Sequence, residues 1–221
     1  MLTVHHLNNS RSQRVLWLLE ELGVPYELVR YQRGPDQRAP AELRKVHPLG
    51  LSPVLTDGEG LVLAETGAIV TWLLHRFDPE HRFSIAPDSP AWPDYLYWTF
   101  ASEGTVMPPL VMSLVMSVTA KQAPFFIRPV AGAIRKGLEA KFYGPKIRDN
   151  FAYAESAVAK GGWFAGEAFG AADVMMSFPV EAAKSRVGLS DFPALRGWLD
   201  RIQARPAYQA ALARGGKYDY A

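Results

Sequence analysis

The chain has 221 residues, 48% of them hydrophobic types, enough for one large domain or two small ones sharing an interface. Its 24 basic and 22 acidic residues leave a net charge of +2, too little for a strong field toward nucleic acid or an anionic membrane. Cysteine is absent, which removes disulfides, thiolate metal sites and cysteine nucleophiles together.

The opening Leu2 to Leu7 reads as a short strand, with no basic segment leading an apolar core, so no signal peptide is expected. Asn8-Asn9-Ser10 supplies capping residues for a helix over Arg11 to Leu22, where Val15, Leu16, Leu18, Leu19 and Leu22 recur at helical spacing and Gly23 stops it. Pro25 to Tyr31 alternates as a second strand, completing a strand–helix–strand unit. A polar connection, Gln32 to Arg38, leads to a short helix from Pro40 to Val46.

His47-Pro48-Leu49-Gly50-Leu51-Ser52-Pro53-Val54 is a proline-stiffened loop entering a hairpin of Val54-Leu55-Thr56 and Leu61-Val62-Leu63, turning at Asp57-Gly58. A cis bond at Ser52-Pro53, a minority state for X-Pro, would turn the chain sharply and offer the Val54 N–H and C=O to a ligand. The helix Glu65 to Phe77 follows. The order βαβ, α, ββα is the thioredoxin-like arrangement, an α+β domain over residues 1–78.

Residues 79–93 read as a linker, with Pro79, Pro87, Pro90 and Pro93. Residues 94–221 carry helical patterns only. Tyr95 to Val118 is one long helix or two that meet at Pro108-Pro109, and the apolar run Val106 to Val118 is too short to span a bilayer. Pro124 to Ala159 is another helical stretch, disturbed at Pro129 and Gly144-Pro145. Gly161 to Gly166 is a loop, Ala171 to Arg186 a buried helix, and Pro193 to Ala204 and Pro206 to Arg214 are two proline-opened helices.

Four motifs in this order resemble the cytosolic glutathione transferases, in particular a serine-type branch of fungal and bacterial enzymes. They are Ser10-Arg11-Ser12-Gln13-Arg14-Val15-Leu16, the His47 to Val54 loop, Glu65-Thr66-Gly67-Ala68-Ile69, and Phe164-Ala165-Gly166 through Ala172-Asp173-Val174. Each is weak alone, but the resemblance runs nearly end to end. It departs at Gly170, where the family usually places a capping serine or threonine three residues before Asp173.

The resemblance implies a homodimeric, cytoplasmic enzyme that adds glutathione to an electrophilic carbon or reduces an organic hydroperoxide with it. Ser10 is the candidate stabiliser of the thiolate, with Ser12 and Asn9 as alternatives, because a hydroxyl at a helix start can donate to S⁻ while the helix end adds positive potential. Ser52, Pro53 and Val54 would hold the cysteinyl backbone, and Glu65 and Thr66 the γ-glutamyl end. His47, Lys45 or Arg38 would reach the glycyl end.

Met107, Met112 and Met116, with Trp98, Phe125 and Phe126 nearby in sequence, are candidates for an apolar electrophile pocket, although methionines at this spacing also suit a core or subunit interface. Arg14 reads as structural, tying loops together with its fork of donors. The basic residues from Arg128 to Arg148 read as a solvated face. The five histidines are not grouped with carboxylates at metal-ligand spacing, so no metal is expected. A rival reading keeps the scaffold as a non-catalytic glutathione-binding or regulatory protein.

Overall fold

A computed structural model of the chain describes residues 1–184 and 188–221. Strand β1 (Leu2–Leu7) pairs in parallel with β2 (Tyr26–Tyr31), Leu2 opposite Tyr26, and the crossover between them is helix α1 (Ser12–Leu22). On its other side β1 pairs antiparallel with β3 (Val54–Thr56), His5 opposite Val54, and β3 pairs antiparallel with β4 (Val62–Ala64). The sheet order is β2-β1-β3-β4, a mixed sheet ending in a hairpin, as the sequence order implied. Helix α2 (Leu43–Val46) is a single turn, shorter than expected, because Pro40 to Glu42 only make the turn that leads into it. Helix α3 (Thr66–Phe77) returns beside α1.

Ser12 through Leu19 of α1 are all buried. The reason is placement. This helix touches β1 and α3 in its own half, and α8 (Ala171–Lys184) and α10 (Pro206–Gly215) from the other. A helix covered on every side cannot keep a polar face in water, so Gln13 and Arg14 enter the interior with the leucines. Gly23 ends it in the left-handed conformation, φ 68°, with its N–H on the Glu20 carbonyl.

Between α3 and α4 (Trp92–Ala101), the Asp78 carboxylate accepts from the N–H groups of Arg82, Phe83 and Ser84 and from the Ser84 hydroxyl. One buried side chain thus organises the proline-rich connection.

The second half is helical: α5 (Met107–Gln122), α6 (Arg128–Leu138), α7 (Gly144–Gly161), α8, α9 (Pro193–Gln203) and α10. Pro108-Pro109 does not divide the first long helix, which decides between the one helix and the two that the sequence left open. A π-helical turn, Ser102–Val106, precedes them, and the Met107 N–H reaches back to the Ser102 carbonyl. The two prolines then fall in the first turn of α5, where missing N–H groups are tolerated.

The helix therefore runs unbroken from Trp92 to Gln122. Its 31 residues are long and apolar enough, by length and composition alone, to cross a membrane, which corrects the shorter apolar run read from the sequence. The same device recurs at Glu139–Tyr143, ahead of Pro145. There Gly144 is required by close approach, since a Cβ would lie 2.2 Å from the Glu139 carbonyl oxygen.

Helix α8 is almost wholly buried and contains Pro179 in its interior. The expected end of this helix at Arg186 lies outside the described residues. At its start, the Asp173 carboxylate accepts from the N–H of Gly170 (3.0 Å), the N–H of Phe164 (3.1 Å) and the Trp198 indole (2.7 Å). Gly170 stands where a capping hydroxyl was expected because the chain passes too close for one. A Cβ there would lie 2.9 Å from the Phe83 carbonyl, which accepts the Ala171 N–H.

Replacing Asp173 with Ala orphans three buried donors together. Urea denaturation should show a loss of about 3 kcal/mol or more. A loss below ~1 kcal/mol would mean that water replaces the carboxylate at little cost.

Candidate active site

The C-terminal end of β1 gathers three serines. Ser12 is fully buried at the first turn of α1, and its Oγ lies 2.8 Å from His6 Nδ1 and 2.7 Å from Ser10 Oγ. The Leu7 N–H reaches both Ser12 Oγ (3.3 Å) and Ser52 Oγ (3.2 Å), and the Ser52 hydroxyl donates to the His5 carbonyl (2.9 Å). Burial, helped by the charge of Arg30, lowers the His6 pKa to about 4, against a hydrogen bond to the Gly215 carbonyl. His6 is therefore neutral at pH 7.

With Nε2 carrying the proton toward Gly215, Nδ1 is an acceptor and the Ser12 hydroxyl donates to it. Ser12 is then free to accept, and the Ser10 hydroxyl can donate in turn. Ser10 Oγ also accepts the Ser12 N–H at 3.3 Å, so it caps the helix as the sequence suggested. Asn9 sits at φ 50° and its amide is taken by the C-terminal segment, Nδ2 donating to Asp219 (2.6 Å) and Oδ1 accepting the Asp219 N–H (2.8 Å).

The Ser52-Pro53 bond is cis. Val54, however, is an interior position, paired on one side with His5 and on the other with Ala64, and it is completely buried. The accessible surface of this loop lies instead at Leu49, Leu51 and Ser52, because β3 is flanked by strands on both edges. Ser52 spends its hydroxyl on β1 rather than presenting it outward.

Glu65 is exposed and holds φ 71° at the start of α3, a backbone region that non-glycine residues rarely adopt and that clusters at functional sites. Thr66 is buried, and its Oγ1 accepts from Arg14 at 3.4 Å. His47 is half-buried, with Nδ1 enclosed and without a partner among the described residues. Lys45 is exposed, and Arg38 lies at the surface beside Asp36.

Arg14 joins these parts. Its guanidinium is buried and donates to the Met175 carbonyl (2.7 Å), to Thr66 and to the Glu103 carboxylate. The Met175 carbonyl is open to it because the residue four further on is Pro179, which has no N–H to return. Glu103 lies in the π turn and also accepts from Arg11 Nε, both oxygens at 2.9 Å.

Above this cluster lies a cavity of about 650 Å³ whose charged lining is Arg11 and Glu103. Met107, Met112 and Met116 line it together, joined by Val111, Val115 and Phe142. A second cleft of about 640 Å³ lies on the other side of Glu103, bordered by Glu65, Gly67, Thr71 and Met175. Trp98, by contrast, is core, stacked on Tyr153 and tilted against Phe164. Phe125 and Phe126 are exposed between α5 and α6, outside the cavity lining, so sequence proximity misled for these three.

Residues 10–76 match the family description "Glutathione S-transferase, N-terminal domain", and residues 126–206 match "Glutathione S-transferase, C-terminal domain". Among curated relatives, Glutathione S-transferase 1 of Saccharomyces cerevisiae is 33% identical over 96% of this chain and 94% of its own length. Glutathione S-transferase 3 of Schizosaccharomyces pombe is 34% identical over 96% of this chain and 86% of its own. The crystal structure of a glutathione S-transferase from Actinobacillus pleuropneumoniae superposes with a TM-score of 0.80 at 34% identity, covering 100% of this chain and 95% of that one. The chain belongs to the glutathione transferase family.

For a transferase the arrangement divides into two regions. Glu65 and the first-turn N–H groups of α3, which have no side-chain cap, form a polar edge exposed at Glu65, while the methionine-lined cavity is the apolar one. Sequence reasoning missed Glu103 and the cavity role of Arg11. Nothing local marks Glu103, whose place depends on the π turn. Arg11 stood in a quoted motif, and only the folded geometry shows what it faces.

Buried carboxylates make stability pH-dependent in two directions. Burial raises Asp173 to about 6 and Glu181, enclosed in α8 by Tyr208 and Tyr218, to about 7, from ordinary values of 3.8 and 4.5. Their contribution is full below the ordinary values and is lost as pH rises through the native ones. Burial also works against the charge of Glu103, but Arg14 and Arg11 outweigh it and hold its pKa below 4.5, so its contribution is lost as pH falls through that lowered value. Below about pH 6.5 the buried His6, with its lowered pKa, adds stability as pH rises and opposes the carboxylates, so the melting temperature should fall between about pH 6.5 and about pH 8, and Glu181→Gln should flatten that fall. A wild-type profile rising from pH ~6.5 to ~8 would contradict the assignment.

Proposed function

We propose that this transferase orients glutathione along the Glu65 edge, with Thr66 and the N–H groups of the α3 start near its γ-glutamyl carboxylate. His47, Lys45 and Arg38 are the groups that can serve its glycyl end. The thiolate is held by the Ser10 hydroxyl and attacks an electrophile seated against Met107, Met112 and Met116; a hydroperoxide placed there would be reduced by the same thiolate.

Lowering a thiol pKa from ~8.5 by two units takes about 2.7 kcal/mol of preference for the charged form. A hydroxyl donor and the positive end of α1 supply interactions of that kind. The observation that carries this reading is that Ser10 heads the chain Ser10–Ser12–His6 one residue before Arg11, which lines the cavity. Ser12 is committed to His6 and Asn9 to Asp219, whereas Ser10, although also buried, has its hydroxyl paired only with Ser12 among the described residues and is the one able to turn toward a sulfur.

The test is an ultraviolet titration of the bound glutathione thiolate. The wild type should show a thiol pKa well below that of free glutathione, and Ser10→Ala should return it toward the free value. A depressed pKa unmoved by the substitution would transfer the role away from Ser10, and an unshifted wild type would contradict catalysis at this site.

The assembly we infer is a homodimer, supported by the exposed aromatic side chains Tyr97, Phe100 and Tyr153 on α4 and α7. Light scattering should give twice the chain mass. A monomer would overturn that part.

A further inference from the structure

The cavity beside the start of α1 sets apolar walls against a charged floor, and that floor does not cancel. Two guanidiniums, Arg11 and Arg14, share one carboxylate, Glu103, leaving one positive charge at the edge of a largely apolar space. Arg14 is fully enclosed, and its two terminal nitrogens have carbonyl, hydroxyl and carboxylate acceptors within the protein. Arg11 is different. It meets Glu103 through Nε alone, and among the described residues its two terminal nitrogens donate no hydrogen bond. Its side chain is 37% exposed, and its guanidinium rests 5.3 Å from the centre of the Phe178 ring, which steadies its plane.

A planar fork of unused N–H donors fits the two oxygens of a carboxylate, and an apolar surround strengthens such a pair. Among the described residues, no other cationic side chain lines the cavity.

We propose that Arg11 selects the electrophile: the cavity takes apolar electrophiles that carry a carboxylate, with Arg11 pairing to that group while Met107, Met112 and Met116 cover the apolar body. This rests on the glutathione-transfer reading and names the substrate class for the same site. Arg11 stays outside the bond-making step. The glutathione sulfur forms the new bond to the electrophilic carbon, the leaving group departs with its electron pair, and the carboxylate remains unchanged.

The experiment compares two benzyl halides that differ only at the far end of the ring, one bearing a para-carboxylate and the other its methyl ester. The reacting carbon and leaving group are the same, so any effect on the thiolate or the fold cancels in the ratio of the two kcat/KM values. The wild type should prefer the carboxylate by about tenfold or more, chiefly through KM. Arg11→Gln should bring the ratio close to one, and Arg11→Lys should restore part of it.

A wild-type ratio of one or less, or a ratio unchanged in Arg11→Gln, would overturn the assignment. The wild-type ratio decides even if the variant fails to fold, and inhibition of ester turnover by plain benzoate against methyl benzoate gives a second wild-type readout with the same expected order. Ester turnover without carboxylate preference overturns only this inference. Glutathione bound with neither halide consumed overturns the transfer reading as well.

Discussion

The structure depends on a charge placed where charge is costly. Arg14 lies in the first turn of a helix whose residues Ser12 to Leu19 are all buried, and a lone guanidinium there would be strongly unfavourable. It is tolerated because acceptors come from three separate elements: the Thr66 hydroxyl at the start of α3, the Met175 carbonyl of α8 and the Glu103 carboxylate of the π turn. Pro179 takes part by omission, since its missing N–H leaves the Met175 carbonyl without its helical partner. Burial lowers the Arg14 pKa, opposed by Glu103, yet a guanidinium starts so high that it stays charged at any physiological pH. The pairing therefore fixes how the sheet half meets the helical half.

Function follows from that meeting. Thr66 belongs to the polar edge where α3 begins, and Glu103 belongs to the wall between the two clefts, so one guanidinium sets the spacing of both regions. The Ser10–Ser12–His6 chain is positioned separately, by the end of β1. Its polarity is set by His6, kept neutral by burial and turned toward Gly215 of the last helix. Ser52 ties the cis-proline loop to the same end of β1. A nucleophile formed there would sit between rigid elements rather than on a mobile loop, which suits a reaction that depends on orientation.

Much of the fold was legible in the sequence because its signals are local. Gly23, the Asp57-Gly58 turn and the proline-opened helices α9 and α10 each mark an element within a few residues of its edge. Arg14 was read as a structural tie, and its acceptors bear that out. The long helix was harder. Pro108-Pro109 argues for a break by every local rule, and only the wide turn before it removes the conflict. Val54 was read as a ligand-facing strand entry, which its burial between two strands does not support. Phe125 and Phe126 looked like pocket walls by proximity, although a helical hairpin carries neighbours in sequence far from one another's faces. Gly170 looked like a lost cap until the Phe83 carbonyl explained it. In each case the missing information was a contact across the chain.

The most direct test of the account is a crystal structure of this protein with glutathione bound. The account predicts the sulfur within hydrogen-bond distance of Ser10 Oγ, the γ-glutamyl end beside Glu65 and the start of α3, and Arg14 still paired with Met175, Thr66 and Glu103. A sulfur placed against Asn9 or Ser12, or a ligand seated away from the Glu65 edge with the Arg14 pairing broken, would contradict it.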